Sequence, residues 1–165
     1  MELLWDTIDN YELTEDIRNI NKNARMIHLN WEFEQSLYTF PQYLVYLNLG
    51  HKFNGVICNI PRYLLCLRLS YHFNKCIDEL PYLLYLHLGN FFNKNINPLS
   101  QYLLRIIMGE HFNSEIGELP PYLEYLYMGA FFNKPIRNWP ISLKKVKANF
   151  IYEDFIPPAL LVFYY

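Results

Sequence analysis

Five histidines and three cysteines are the residues in this chain best suited to binding a metal or moving a proton. They are His28, His51, His72, His87 and His111, with Cys58, Cys66 and Cys76. A metal site needs several such ligands converging on one ion. No C-x-x-C, H-E-x-x-H, G-K-[ST] or G-x-S-x-G occurs in the chain. Cys66 and His87 are the one pair that could act as nucleophile and base, and no acid is placed to orient the imidazole. A second set of residues suits recognition instead. Tyr46, Asn48, Arg68, Tyr85, His87, Arg105, Tyr125, Tyr127, Lys145 and Lys147 recur in step along the chain. Tyr and Arg are the residue types that dominate protein-interface hot spots.

What positions these residues is a repeat, L-x-x-L-x-L-G-x-x-F-N-x-x-I. Clear copies span 44–57, 83–96, 103–116 and 123–136, and a copy at 64–77 has Ser70 in place of Gly. The Phe-Asn pairs fall at Phe53-Asn54, Phe73-Asn74, Phe92-Asn93, Phe112-Asn113 and Phe132-Asn133, a step of 19 or 20 residues. A fixed period of this size predicts a solenoid. The L-x-L core alternates like a half-buried strand. One such strand cannot bury its apolar side alone, and stacking turn on turn at ~4.8 Å does so. Twenty residues per turn leave no room for a crossover helix, so extended or 3₁₀ segments are expected opposite the strands.

The repeat assigns each column a role. The Phe residues should stack inside as a spine. The Asn residues should be buried and bond backbone groups of their own and neighbouring turns, forming a ladder. Gly50, Gly89, Gly109 and Gly129 suit a turn with positive φ, with Ser70, Asn30 and Asn149 as weaker stand-ins. Pro41, Pro61, Pro81, Pro120 and Pro140 fit an extended return to the next strand. Degenerate copies at 24–37 and 143–156 carry Phe33-Glu34 and Tyr152-Glu153, a polar change suited to end repeats. The tail Leu160–Tyr165 again fits L-x-x-L-x-L. Eight strands follow: 27–29, 47–49, 67–69, 86–88, 106–108, 126–128, 146–148 and 163–165. Leu13-Thr14-Glu15-Asp16-Ile17 echoes F-N-x-x-I at 20 residues before Phe33.

This motif resembles the FNIP repeat, a short relative of the leucine-rich repeat known mainly from social amoebae and giant DNA viruses. The resemblance covers about residues 24–156. It implies a leucine-rich-repeat-like solenoid, mainly β, with one parallel sheet of about eight short strands and any helix confined to an N-terminal cap. The expected organisation is a single domain: a cap over 1–23, about seven turns over 24–156, and an edge strand over 157–165. Some FNIP proteins carry an F-box linking them to a ubiquitin ligase, and residues 1–23 are not expected to hold one.

On this frame the histidines lie too far apart for a shared ion. His28 and His87 are three turns apart, roughly 14 Å, and His72 and His111 two turns, roughly 10 Å. No catalytic, metal or cofactor site is expected. The net charge of −2 gives no global attraction for nucleic acid. The charge is uneven, though. Residues 1–40 hold eight acids against three bases, and residues 134–147 hold five bases and no acid. Solvated caps explain this plainly, and head-to-tail attraction between copies is the sharper reading. No apolar run approaches the ~20 residues of a membrane helix, and the acidic N-terminus lacks a signal-peptide pattern. An odd number of cysteines suits a reducing cytoplasm, the host's if the protein is viral.

The reading is a non-enzymatic module that presents its sheet face to a protein partner, such as a host protein. A purely structural or vestigial array is the alternative, and a nucleic-acid-binding solenoid ranks below it. The apolar last strand, Phe163-Tyr164-Tyr165, is expected either to pair copies into a homodimer or to leave a poorly soluble monomer.

Overall fold

The computed structural model describes residues 12–14, 20–149, 152, 156–157 and 159–164. Among these residues nine strands follow one another: β1 Glu12–Thr14, β2 Met26–Leu29, β3 Tyr46–Asn48, β4 Cys66–Arg68, β5 Tyr85–His87, β6 Arg105–Ile107, β7 Tyr125–Tyr127, β8 Lys145–Ala148 and β9 Leu161–Tyr164. They form one sheet in sequence order, and every pair is parallel. The chain is therefore a leucine-rich-repeat-like parallel β solenoid. No helix occurs among the described residues.

In every strand from β2 to β8 the second residue is buried against its neighbours. Leu47 pairs with Ile27 and Leu67, and the row continues through Leu86, Ile106, Leu126 and Val146. These residues are essentially inaccessible. One residue to either side points the other way. Two reverse turns close each coil. The Gly-x-x-Phe turn is closed by bonds such as Phe92 N–H to Gly89 O at 3.1 Å and Phe112 N–H to Gly109 O at 3.2 Å. The second turn is closed by Leu44 N–H to Pro41 O at 3.2 Å, Leu64 N–H to Pro61 O at 2.9 Å and Leu123 N–H to Pro120 O at 3.1 Å. The Pro thus opens a turn rather than an extended lead, using its fixed φ where its carbonyl alone is needed.

Inside, Phe33, Phe53, Phe73, Phe92, Phe112, Phe132 and Tyr152 stack in one column. Centroids are 5.8 to 6.2 Å apart and ring planes lie within 19° of parallel. Burial of an aromatic ring contributes about 1.5–3 kcal/mol, so this spine and the Leu rows hold the coil together. Tyr152 closes the column with its hydroxyl donating to Lys134 O at 2.8 Å. Burial pushes that phenol up to about 12.

Four expectations are corrected. First, only Gly50 has positive φ, at 67°. At Gly89, Gly109 and Gly129 the requirement is steric. An added Cβ would fall 1.7 Å from Ser70 O, 1.9 Å from Gly89 O and 1.9 Å from Gly109 O respectively. The backbones of successive turns touch there, and a side chain has no space. Ser70, Asn30 and Asn149 likewise do not stand in for positive φ; among the described residues the one non-glycine with it is Asn59 at 58°. Ser70 is buried with its hydroxyl donating to Phe53 O.

Second, the Asn column is not buried. Asn54, Asn93 and Asn133 are exposed, and Asn74 and Asn113 are half-buried. It is still a ladder, set on the rim. Asn54 Oδ1 accepts from Asn74 N–H at 3.2 Å, Asn74 Oδ1 from Asn93 N–H at 3.0 Å, Asn93 Oδ1 from Asn113 N–H at 2.9 Å, and Asn113 Oδ1 from Asn133 N–H at 3.0 Å. The carbonyl of each side chain replaces water for one backbone donor of the next turn.

Third, residues 12–14 join the strand row, with Glu12, Leu13 and Thr14 opposite Ile27, His28 and Leu29. They do not extend the Phe column, so the strands among the described residues number nine. The expected cap helix lies outside the described residues. Fourth, β9 pairs Val162 with Val146 and Phe163 with Lys147. Val162, not Phe163, holds the central register position, and a one-residue slip exchanges the two faces of a strand.

Candidate functional site

The residues flanking each buried strand centre form the outer face of the sheet. Pairing across strands puts Tyr46, Cys66, Tyr85, Arg105, Tyr125 and Lys145 in one row, and His28, Asn48, Arg68, His87, Ile107, Tyr127 and Lys147 in the other. All ten residues singled out from the sequence lie here. Most are half-buried, because neighbours ~4.8 Å away shield them. Arg68 is exposed and Asn48, at 4% exposure, is buried.

Three groupings emerge along this face. At the N-terminal side, Asn48 Nδ2 lies 3.4 Å from His28 Nε2 and 3.5 Å from Tyr46 Oη, and Asn48 Oδ1 accepts from Gly50 N–H at 3.0 Å. Asn48 is therefore committed to holding its neighbours and does less as a contact residue. In the middle stands Arg68. Burial, helped by the Arg68 charge, drives His87 down to about 4 and lowers His28. Both rings are held toward the neutral form near pH 7. At the C-terminal side, the Arg105 guanidinium lies 4.5 Å from the Tyr125 ring centre, and Lys145 Nζ 5.7 Å from that of Tyr127. Such stacking fixes long cationic side chains in place.

The Cys66–His87 pair does not look like catalysis. Burial pushes the Cys66 thiol up to about 12, so the nucleophilic thiolate is scarce at neutral pH. Among the described residues, no group of three His, Cys, Asp or Glu is placed to hold a metal ion. No helix among them is long and apolar enough to cross a membrane.

Sequence reasoning missed an aromatic ridge along the rim of the Gly-x-x-Phe turns. His51 stacks on Trp31 at 3.7 Å and on Tyr71 at 4.9 Å. The column then shifts by one residue. His72 stacks on Phe91 at 5.6 Å, Phe91 on His111 at 4.7 Å, and His111 on Phe131 at 5.1 Å. Its end rings are open, Trp31 at 58% and Phe131 at 59% exposure. The signal was a ring at one of the two residues before every Phe. On this ridge His72 and His111 read only as metal-ligand candidates, and the rings between them were overlooked.

The fold and face define the class of protein: a leucine-rich-repeat-like solenoid. A solved structure similar to it is CroV588, a giant-virus protein described as a novel circular LRR protein structure, at 27% identity and a TM-score of 0.57. The match covers 78% of this chain and 24% of that one. This chain thus spans about a quarter of that protein. No family model and no curated protein matches the chain.

Proposed function

We propose that the chain is a non-enzymatic protein-interaction module of the FNIP-repeat kind, and that its outer sheet face is the binding surface. The observation that supports it most is the registered display of Tyr, Arg and His on consecutive strands β3–β7. Leucine-rich-repeat-like solenoids commonly use such a continuous surface to bind proteins. The six strand intervals from β2 to β8, ~4.8 Å each, make it roughly 29 Å long, enough with its rims to approach the ~800 Å² per partner of a standard interface. The FNIP assignment rests on five in-phase Phe-Asn pairs. A reducing compartment such as the cytoplasm fits three unpaired thiols.

The test substitutes Arg68, Tyr85 and Arg105 by Ala together. The partner captured by the native protein from its own host should be lost, with the melting temperature lowered by no more than a few degrees. Retention of that partner by a folded triple variant would move the binding surface elsewhere, with the aromatic ridge next in line.

A further inference from the structure

The outer face carries charge of one sign only. Arg68, Arg105, Lys145 and Lys147 stand on β4, β6 and β8, and no outward position of β2–β8 is an acid. This contrasts with the chain as a whole, whose net charge is −2. The nearest acid on the same strands' approach, Glu124, is already engaged by Lys144 at 2.6 Å. Arg105 also brings a donor in need of an acceptor. Its Nε is buried and has no hydrogen-bond partner, an unfavourable state for a donor on a charged group. A carboxylate that draws the guanidinium outward satisfies it, because Arg receives carboxylates through paired N–H donors.

We infer that the occupant of the sheet face is an acidic, extended protein segment whose carboxylates are received by Arg68 and Arg105. The inference rests on the sheet face being the binding surface. Nucleic acid shares the charge but fits less well. Single-stranded binders need open ring faces for bases to stack on. Here the Tyr125 ring is covered by Arg105 and the Tyr127 ring by Lys145. The cations Arg68, Arg105 and Lys145 stand on alternate strands, roughly 10 Å apart.

Fluorescence anisotropy with the full chain tests this. The probes are a labelled Glu-rich peptide, its Gln-substituted twin and a single-stranded RNA of equal length. The acidic peptide should bind about tenfold or more tightly than its twin, and added salt should weaken it. Arg68→Glu should reduce binding by about tenfold or more; because this side chain is exposed, the variant tests the face even where Arg105→Glu disturbs folding. Lys75→Glu, exposed and off the sheet, should leave binding unchanged. Equal binding of the twin, tighter binding of the RNA, or indifference to Arg68→Glu overturns the inference. Absence of peptide binding, with the triple alanine variant still losing the native partner, also overturns it and leaves the sheet-face reading standing.

Discussion

The Phe spine and the sheet face are built on the same coils and follow opposite rules. Along the spine one residue type recurs turn after turn, with Tyr152 as the single variation. Along the face the residue changes at almost every strand: Tyr, Cys, Tyr, Arg, Tyr, Lys. A spine ring is packed above and below by its own repeats, so any change must suit two neighbours in a close-packed interior. A face residue meets neighbours on the sheet and water on the other side, so its identity is open to a partner's demands. Monotony marks what holds the coil together, and variety marks what the coil displays.

Substitutions separate the two regions by size of effect. Phe92→Ala should cost most, ~3–5 kcal/mol in denaturant melts, since Phe92 is sealed between Phe73 and Phe112. A loss below 1 kcal/mol would mean the spine is not what stabilises the array.

Acid should act through the face. His87 is held down at about 4 by burial and then by Arg68. Unfolded, it takes up its proton near 6.5. Between those values the unfolded chain binds more protons, so stability falls as pH drops from about 6.5 toward 4. The full effect is about 3 kcal/mol. His87→Gln should flatten this part of the pH profile of the melting temperature, and an unchanged profile would place the acid sensitivity elsewhere.

Gly109→Ala should cost ~1–3 kcal/mol through overpacking, because its Cβ meets the carbonyl of Gly89. A neutral result would show that adjacent turns can spread apart. The smallest effect belongs to Asn93→Ala, ~0.5–1.5 kcal/mol, since the ladder lies at the rim where water can replace it. A loss as large as that of Phe92→Ala would erase the distinction between rim and spine.

The period and the inner columns were legible because burial repeats a residue type. Leu47, Phe53 and Ile57 recur in kind at each turn, and apolar stacking permits little else. What was misread involved residues that serve two physical purposes. A recurrent Gly signals either positive φ or close backbone contact, and only the distance from Gly109 to the Gly89 carbonyl decides between them. An Asn beside a buried Phe can face in or out, and here it faces the rim. The strand at Glu12–Thr14 was hidden because it lies 15 residues before its pairing partner at Ile27 rather than 20. On the face, positions were legible while consequences were not. Asn48 reads as a contact residue in sequence, and in the structure it is spent on His28, Tyr46 and Gly50.

The rim ladder has one more consequence. Its bonds join residues 19 or 20 positions apart, and each strand pairs only with the one before and the one after it. Expressed as relative contact order, a separation of about 20 in a chain of this length is roughly 0.12, a value associated with rapid folding despite the all-β composition. A coil formed anywhere is a template for the next, so assembly resembles a zipper rather than a collapse. Amide exchange should then be slowest near β5 and β6 and quicken toward both ends, as though the molecule were continually fraying and rewinding its outermost coils.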